Sequence, residues 1–349
     1  MAAKPALRPF PDEAVCGGSP RAAARMNTTP RPGLEGARLS IVCALGAALV
    51  FSINDIAIKS FSATYPLHEV VLVRAVVALV LTVLLLAPRG DRLSVLRTRR
   101  PKAHLFRGLC VVVTNMSYFA ALATLPLAET SAIFYVAPLL ITAFSAWLLK
   151  EYVGIRRWTA LCVGMLGVLL IVKPGTAAFQ WAVLLPALSA LAYAGLHTMT
   201  RSMGLAESAA TMSVYIQITF ILACSAMGLV FGTGQWSGSG HPSLEFLFRA
   251  WSWPTPLHFG LMFVAGACSA AGGYLISQAY RSSAAGLVAP FEYSGLLLAA
   301  FWGFAIWGEV PGAWSAAGIV LILGSGVFVA LREARLRVKP TAQHTAGRR

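Results

Sequence analysis

The sequence predicts an all-α integral membrane protein in which ten transmembrane helices form two inverted five-helix repeats. Three observations carry that prediction. Of the 349 residues, 57% are hydrophobic and only 12% charged, against about 25% charged in an average soluble domain. Apolar stretches of roughly 20 residues recur along the chain, each long enough to cross a hydrocarbon core about 30 Å thick as a helix. The second half of the chain also repeats features of the first.

Taken in order, residues 1–37 are rich in Ala, Pro, Gly and Arg without hydrophobic periodicity and read as a disordered cytoplasmic tail, with Met26 as a second candidate start. A cleaved signal peptide ending near Ser62 is the competing reading of residues 21–62, because a basic segment precedes an apolar one. The apolar run is longer than a signal peptide needs, and the repeat requires it as a helix. Spans are expected at 38–59, 67–87, 103–123, 127–149, 157–173, 180–199, 209–231, 255–280, 284–305 and 312–331. They group into repeats at 38–173 and 174–333, followed by a basic cytoplasmic tail at 334–349.

Charge fixes the expected orientation. Cytoplasmic loops of membrane proteins carry the excess of Lys and Arg. With the N-terminus inside, 24 of the 28 basic residues fall on the inner side; Lys59, Lys173 and Arg249 fall outside, and Arg74 lies within the second span. Both termini are therefore expected in the cytoplasm. The net charge of +15 then reflects topology and attraction to anionic membrane lipid. No nucleic-acid motif or aromatic-interleaved basic helix accompanies it, so no nucleic-acid partner is expected. The six cysteines are scattered, five of them in apolar segments, and read as small hydrophobes.

The repeat is visible in the fourth and ninth spans. Aligning Glu151 with Glu309 also aligns Gly154 with Gly312 and Tyr135 with Tyr293, while Lys59-Ser60 matches Arg201-Ser202. Spans five and ten are both rich in small residues, including Gly164, Gly167, Gly318, Gly324 and Gly326, which suits close helix packing. Five helices per repeat is an odd number, so the two repeats must run in opposite directions. Inverted repeats place a binding site near the membrane midplane, where they meet.

Three strings carry a family resemblance: FSINDIAIKSFSATYPLHEVVLVR from Phe51 to Arg74, TLPLAETSAIFYVAPL from Thr124 to Leu139, and VAPFEYSGLLLAAFWGFAIWGEVPG from Val288 to Gly312. With the repeat and the small-residue helices, they make residues 38–333 resemble an EamA-type transporter of the drug/metabolite transporter superfamily. The PFEY string is similar to a bacterial subgroup described as S-adenosylmethionine transporters. That resemblance implies ten helices and a central cavity lined by helices one, three, four, six, eight and nine. It further implies a bacterial inner-membrane location and a small-molecule substrate, amino acid-like or cationic. Export of drugs or other metabolites is the alternative within the same fold. His197 occupies a sixth-span position for which the resemblance supplies no rule, so no role carries over to it.

Charged groups inside a membrane are costly and therefore informative. Asp55 has two candidate partners: Lys59, four residues on along one helix, and Arg74, at similar depth on the next span. Glu292 lies inside span nine beside the Pro290 break. Asn54, Asn115, Tyr118, Tyr135, Tyr193, Tyr274, Gln278 and Tyr293 complete the candidate substrate-binding set. Tyrosines around one cavity can hold a flat or cationic ligand by stacking and cation–π contact, although each singly also reads as an interface anchor. No cofactor, metal site or catalytic set is expected, and no ATP-binding motif is present. The competing classes are a membrane-embedded lipid-modifying enzyme and a passive channel. A homodimer is compatible with the sequence, which does not fix oligomeric state.

Overall fold

Backbone amides that enter lipid must find their partners within the segment, so long apolar runs become helices. The computed structural model describes residues 34–86, 96, 98, 100–148, 154–174, 179–203, 209–282 and 291–338. Among these, every regular element is helical. In chain order they are α1 (Leu34–Phe61), α2 (Leu67–Leu86), α3 (Pro101–Leu122), α4 (Leu127–Phe134), α5 (Ala137–Leu148), α6 (Ile155–Val172), α7 (Leu184–Met203), α8 (Ala209–Phe231), α9 (Pro242–Phe248), α10 (Pro256–Ser282), α11 (Ser294–Trp307) and α12 (Ala313–Val338). A single 3-10 turn, Trp181–Val183, leads into α7.

Seven stretches among the described residues are long and apolar enough to cross a membrane: Arg38–Phe61, Leu67–Leu85, Pro101–Leu122, Leu127–Leu148, Ile155–Val172, Thr211–Phe231 and Pro256–Ile276. Three more, Trp181–Leu196, Ser294–Trp307 and Ala313–Val329, are apolar but shorter. Two expected boundaries shift. The first helix begins at Leu34, so residues 34–37 are helical rather than part of a tail. The last helix continues to Val338, because the Arg-, Leu- and Ala-rich segment after Leu331 favours helix.

Local chemistry explains the punctuation. Pro101, Pro242 and Pro256 each open a helix, where the missing N–H costs nothing. Pro138 has the opposite effect, since its ring conflicts with the Phe134 carbonyl four residues back. The fourth expected span is accordingly split: α4 ends at Phe134, Tyr135 and Val136 form a turn, and α5 resumes at Ala137. A second interruption falls at Tyr293, after which α11 begins. Pro290 lies outside the described residues. At the far end of α11, Gly308 adopts φ +66°, a left-handed conformation that glycine enters without steric cost, and donates to the Phe304 carbonyl at 3.0 Å.

The principal helix contacts follow a pattern. α1 packs on α10 and α7 on α3; α2 packs on α8, α6 on α12 and α4 on α11. The α6–α12 seam is the tightest. A Cβ built on Gly167 would stand 2.7 Å from the Gly318 carbonyl oxygen, and one on Gly318 would stand 2.5 Å from the Gly167 oxygen. At that spacing only glycine fits on either side.

Candidate functional site

Helices α1 to α4 bring a chain of polar side chains together inside the bundle. Arg74 on α2 is 4% exposed. Its Nη1 donates to Asn54 Oδ1 of α1 at 3.5 Å and its Nη2 to Asn115 Oδ1 of α3 at 3.4 Å. Asn54 Nδ2 in turn donates to Asp55 Oδ1 at 3.2 Å. Tyr118 of α3 donates to Asp55 Oδ2 at 3.1 Å and lies 2.9 Å from Ser131 Oγ of α4. With its own proton committed to Asp55, the Tyr118 oxygen accepts from Ser131. The guanidinium also lies 5.1 Å from the ring of Phe119 and 5.3 Å from that of Phe220, close enough for cation–π attraction on both.

Asp55 and Arg74 therefore belong to one network, joined through Asn54 rather than by a direct ion pair. The alternative partner of Asp55 is otherwise engaged. Lys59 donates to the Leu125 carbonyl at 3.2 Å, forms an ion pair with Glu309, and sits 4.9 Å from the Trp307 ring. Glu309 also caps α4 by accepting from the Leu127 N–H at 2.8 Å.

An aromatic cluster continues from this network. Phe134, at the end of α4, has its ring 5.3 Å from Tyr118, 5.1 Å from Tyr193 of α7 and 5.9 Å from Tyr135. Tyr135 in turn lies 5.6 Å from Tyr293. The two helix interruptions thus face each other through tyrosine rings. Glycine makes room for both: a Cβ on Gly295 would collide with the Tyr135 hydroxyl, and one on Gly326 with that of Tyr293. Glu292 is half-buried and close enough for its charge to act on Tyr135, Tyr193 and Tyr293.

The structure does not bring every predicted residue into this cluster. Tyr274 is 46% exposed. On α10 the positions that meet α1 are Gly272, against Phe51, and Leu275, against Gly46; the helical period turns Tyr274 away from that face, while Gln278 is half-buried at its flank. The side chain of His197 and the whole of Glu151 lie outside the described residues.

The end of the bundle that carries α9 is closed by contacts the sequence reading missed. Phe246 of α9 is fully buried among Phe61, Tyr65 and Phe119. Arg249 donates to the carbonyls of Ser62 and Tyr65 at 3.1 and 3.3 Å. The Tyr65 hydroxyl meets His258 Nδ1 at 2.8 Å and accepts from the Thr255 N–H at 3.2 Å. His68 and Glu69, both fully buried, face the end of α9 and the segment after it: His68 Nδ1 lies 3.3 Å from the Leu247 carbonyl, and Glu69 Oε2 accepts from Ser252 N–H at 3.2 Å. In sequence, Glu69 is an acid in the first turn of a span, indistinguishable from a solvated interfacial residue.

Known proteins place this architecture. The sequence profile of the EamA-like transporter family matches residues 38–173. The chain is 30% identical to the pseudopaline exporter CntI of Pseudomonas aeruginosa over 83% of its own length and 95% of that protein. It is 28% identical to a riboflavin transporter of Vibrio cholerae, over 83% of this chain and 91% of that one. It is 24% identical to an S-adenosylmethionine uptake transporter of Rickettsia prowazekii, over 81% and 89%. A helical bundle of apolar spans with buried polar groups at its centre, matched nearly end to end by three such relatives, belongs to the EamA-like transporter family.

Proposed function

We propose that this chain is a secondary carrier of a small metabolite that works by alternating access across a bacterial inner membrane, with both termini in the cytoplasm. The single observation that carries the reading is the buried network of Asn54, Asp55, Arg74, Asn115 and Tyr118 running into tyrosine-lined helix interruptions at Tyr135 and Tyr293. Polar groups at membrane depth are retained where substrate or ions pass, and interrupted helices are tolerated where they line a cavity.

The contact pattern supports ten spans in two inverted repeats. Exchanging the first five spans with the last five turns the α1–α10 contact into α7–α3, and leaves α2–α8, α6–α12 and α4–α11 unchanged. In this reading α9 lies on the outer side. Lys59, Glu309 and the α9 segment then close the outer end, and the tyrosine cluster forms the site from which substrate leaves toward the other side. Reporter fusions after Leu96, Arg201 and Arg335 should report the cytoplasm, and fusions within 236–250 the outside. Two or more reversed signals would remove the inverted-repeat reading.

Glu292 supplies a negative charge beside three tyrosines, which suits a cationic, amino acid-like metabolite such as S-adenosylmethionine. The relatives' names include an exporter and uptake transporters, so direction does not carry over from them. The test is flux of radiolabelled S-adenosylmethionine and of riboflavin into proteoliposomes, after a thermal-shift screen of purified protein against metabolites. A carrier gives saturable flux of chemically unchanged solute; conversion of the solute would indicate an enzyme, and flux without saturation a channel. Glu292→Gln keeps the size and hydrogen-bonding capacity but loses the charge, and should weaken transport of cationic solute at least tenfold more than neutral solute. Equal kinetics in both proteins would take Glu292 out of the site.

A further inference from the structure

The α9 end contains a buried carboxyl that the central site does not use. Glu69 is fully buried, its Oε2 accepts one backbone N–H from Ser252, and its Oε1 meets no donor among the described residues. A carboxylate taken out of water needs a cation or several hydrogen bonds to replace its hydration. The surrounding ionisable groups do not supply them. Its neighbour His68 turns Nδ1 to the Leu247 carbonyl and its ring to Trp251, with Nε2 lacking a partner among the described residues. Arg249, on the covering segment, spends its guanidinium on the Ser62 and Tyr65 carbonyls. His258 of α10 is bound to Tyr65, and Arg74 lies further along α2 within the central network. Cys224 of α8 is buried, and the Lys59 ammonium is held by Glu309. Glu245 of α9 is engaged at the exposed Gly238 N–H, and His241, which precedes α9, completes the set.

We propose that Glu69 is a proton-binding site whose occupancy is linked to opening of the α9 end. With residues 247–252 seated over it, the neutral acid costs less to hold there than the carboxylate, because it carries no net charge. Lifting that segment exposes the carboxyl to water, where it ionises: the O–H bond breaks, the electron pair stays on the carboxylate, and one proton passes to the solvent on the α9 side. Closing reverses the step. Proton binding and closure are therefore thermodynamically linked, so a proton gradient biases which side of the carrier is open. This inference rests on the alternating-access reading only for its use in transport; the linkage itself is a property of the α9 end.

Hydrogen–deuterium exchange of purified protein, read on peptides covering 242–255 and corrected for the intrinsic pH dependence of amide exchange, tests the linkage without any substrate. In the wild type, protection of this segment should fall by up to about tenfold per pH unit once Glu69 ionises on opening. Glu69→Gln should remain protected and lose the pH dependence, whereas His68→Gln and His258→Gln should keep it. Wild-type protection that does not change between about pH 5 and 9, beyond the range of a free carboxyl's titration, overturns the proposal whatever the variants do. So does pH dependence that survives in Glu69→Gln or vanishes in either histidine variant. Failure of the transport reading shows separately, as absence of flux in wild-type proteoliposomes.

Discussion

The α6–α12 seam and the polar centre hold the same bundle together by opposite means. At the seam, Gly167 and Gly318 let two backbones touch. At the centre, Arg74, Asn54, Asp55, Asn115, Tyr118 and Ser131 keep four helices apart at the distances their hydrogen bonds require. The seam depends on volume and has no tolerance for an added methyl group. The centre depends on charge and donor count, and a change of either leaves a group in low dielectric without a partner.

The largest effect separating them should come from Arg74→Leu. It removes the donors to Asn54 and Asn115 and the positive charge facing Asp55, at a cost of about 3–5 kcal/mol. Thermal unfolding in detergent and the yield of monodisperse protein would register the loss. Exchanging the charges, Asp55→Arg with Arg74→Asp, should not recover it, because contact runs through Asn54 rather than directly between the two. Recovery to near wild-type stability would establish a direct pair and remove Asn54 from the account.

At the seam, Gly318→Val places side-chain carbon against the Gly167 carbonyl and Ile171, and should cost about 1–3 kcal/mol. Gly324 on the same helix supplies the control. A Cβ there meets nothing within 4 Å, so Gly324→Ala should be neutral or stabilising by up to about 1 kcal/mol. Equal losses at both positions in a thermal-shift measurement would mean that helix propensity, not contact, governs α12. Among the destabilising changes the smallest loss is expected for Tyr118→Phe, which deletes the hydroxyl between Asp55 and Ser131 but keeps the ring against Phe134. It should cost about 1 kcal/mol in stability. Flux in proteoliposomes should fall further than that stability loss accounts for, and an unchanged flux would assign Tyr118 to the scaffold alone.

Much of the architecture was legible from local rules. Each of the ten apolar stretches contains helix, because the cost of unsatisfied backbone in lipid leaves a long apolar segment few other conformations. The small residues of α6 and α12 announced close packing before their partner was known, whereas the interruption at Tyr135 divides a span that the sequence reading ran unbroken from 127 to 149. Asp55 and Arg74 stood out for the same reason that makes them costly: a charge at membrane depth must have company.

What the sequence by itself determined, then, was which segments are helical, which helix faces carry small residues and which charges require partners, since all three follow from interactions within a few residues or with the solvent. Which groups actually meet was decided only by the tertiary structure. Lys59 lies four residues from Asp55 on one helix, yet it pairs with Glu309, 250 residues away. Tyr274 has a suitable side chain on an expected lining helix, yet the rotation of α10 against α1 turns it out of the cluster. Glu69 sits in an ordinary first turn, and becomes a buried carboxyl only because a seven-residue helix and the strand of chain after it, some 180 residues further on, close over it. Such a helix is too short for periodicity to reveal, and its effect on Glu69 is one of solvation, which depends on everything packed around a group and on nothing in its immediate sequence.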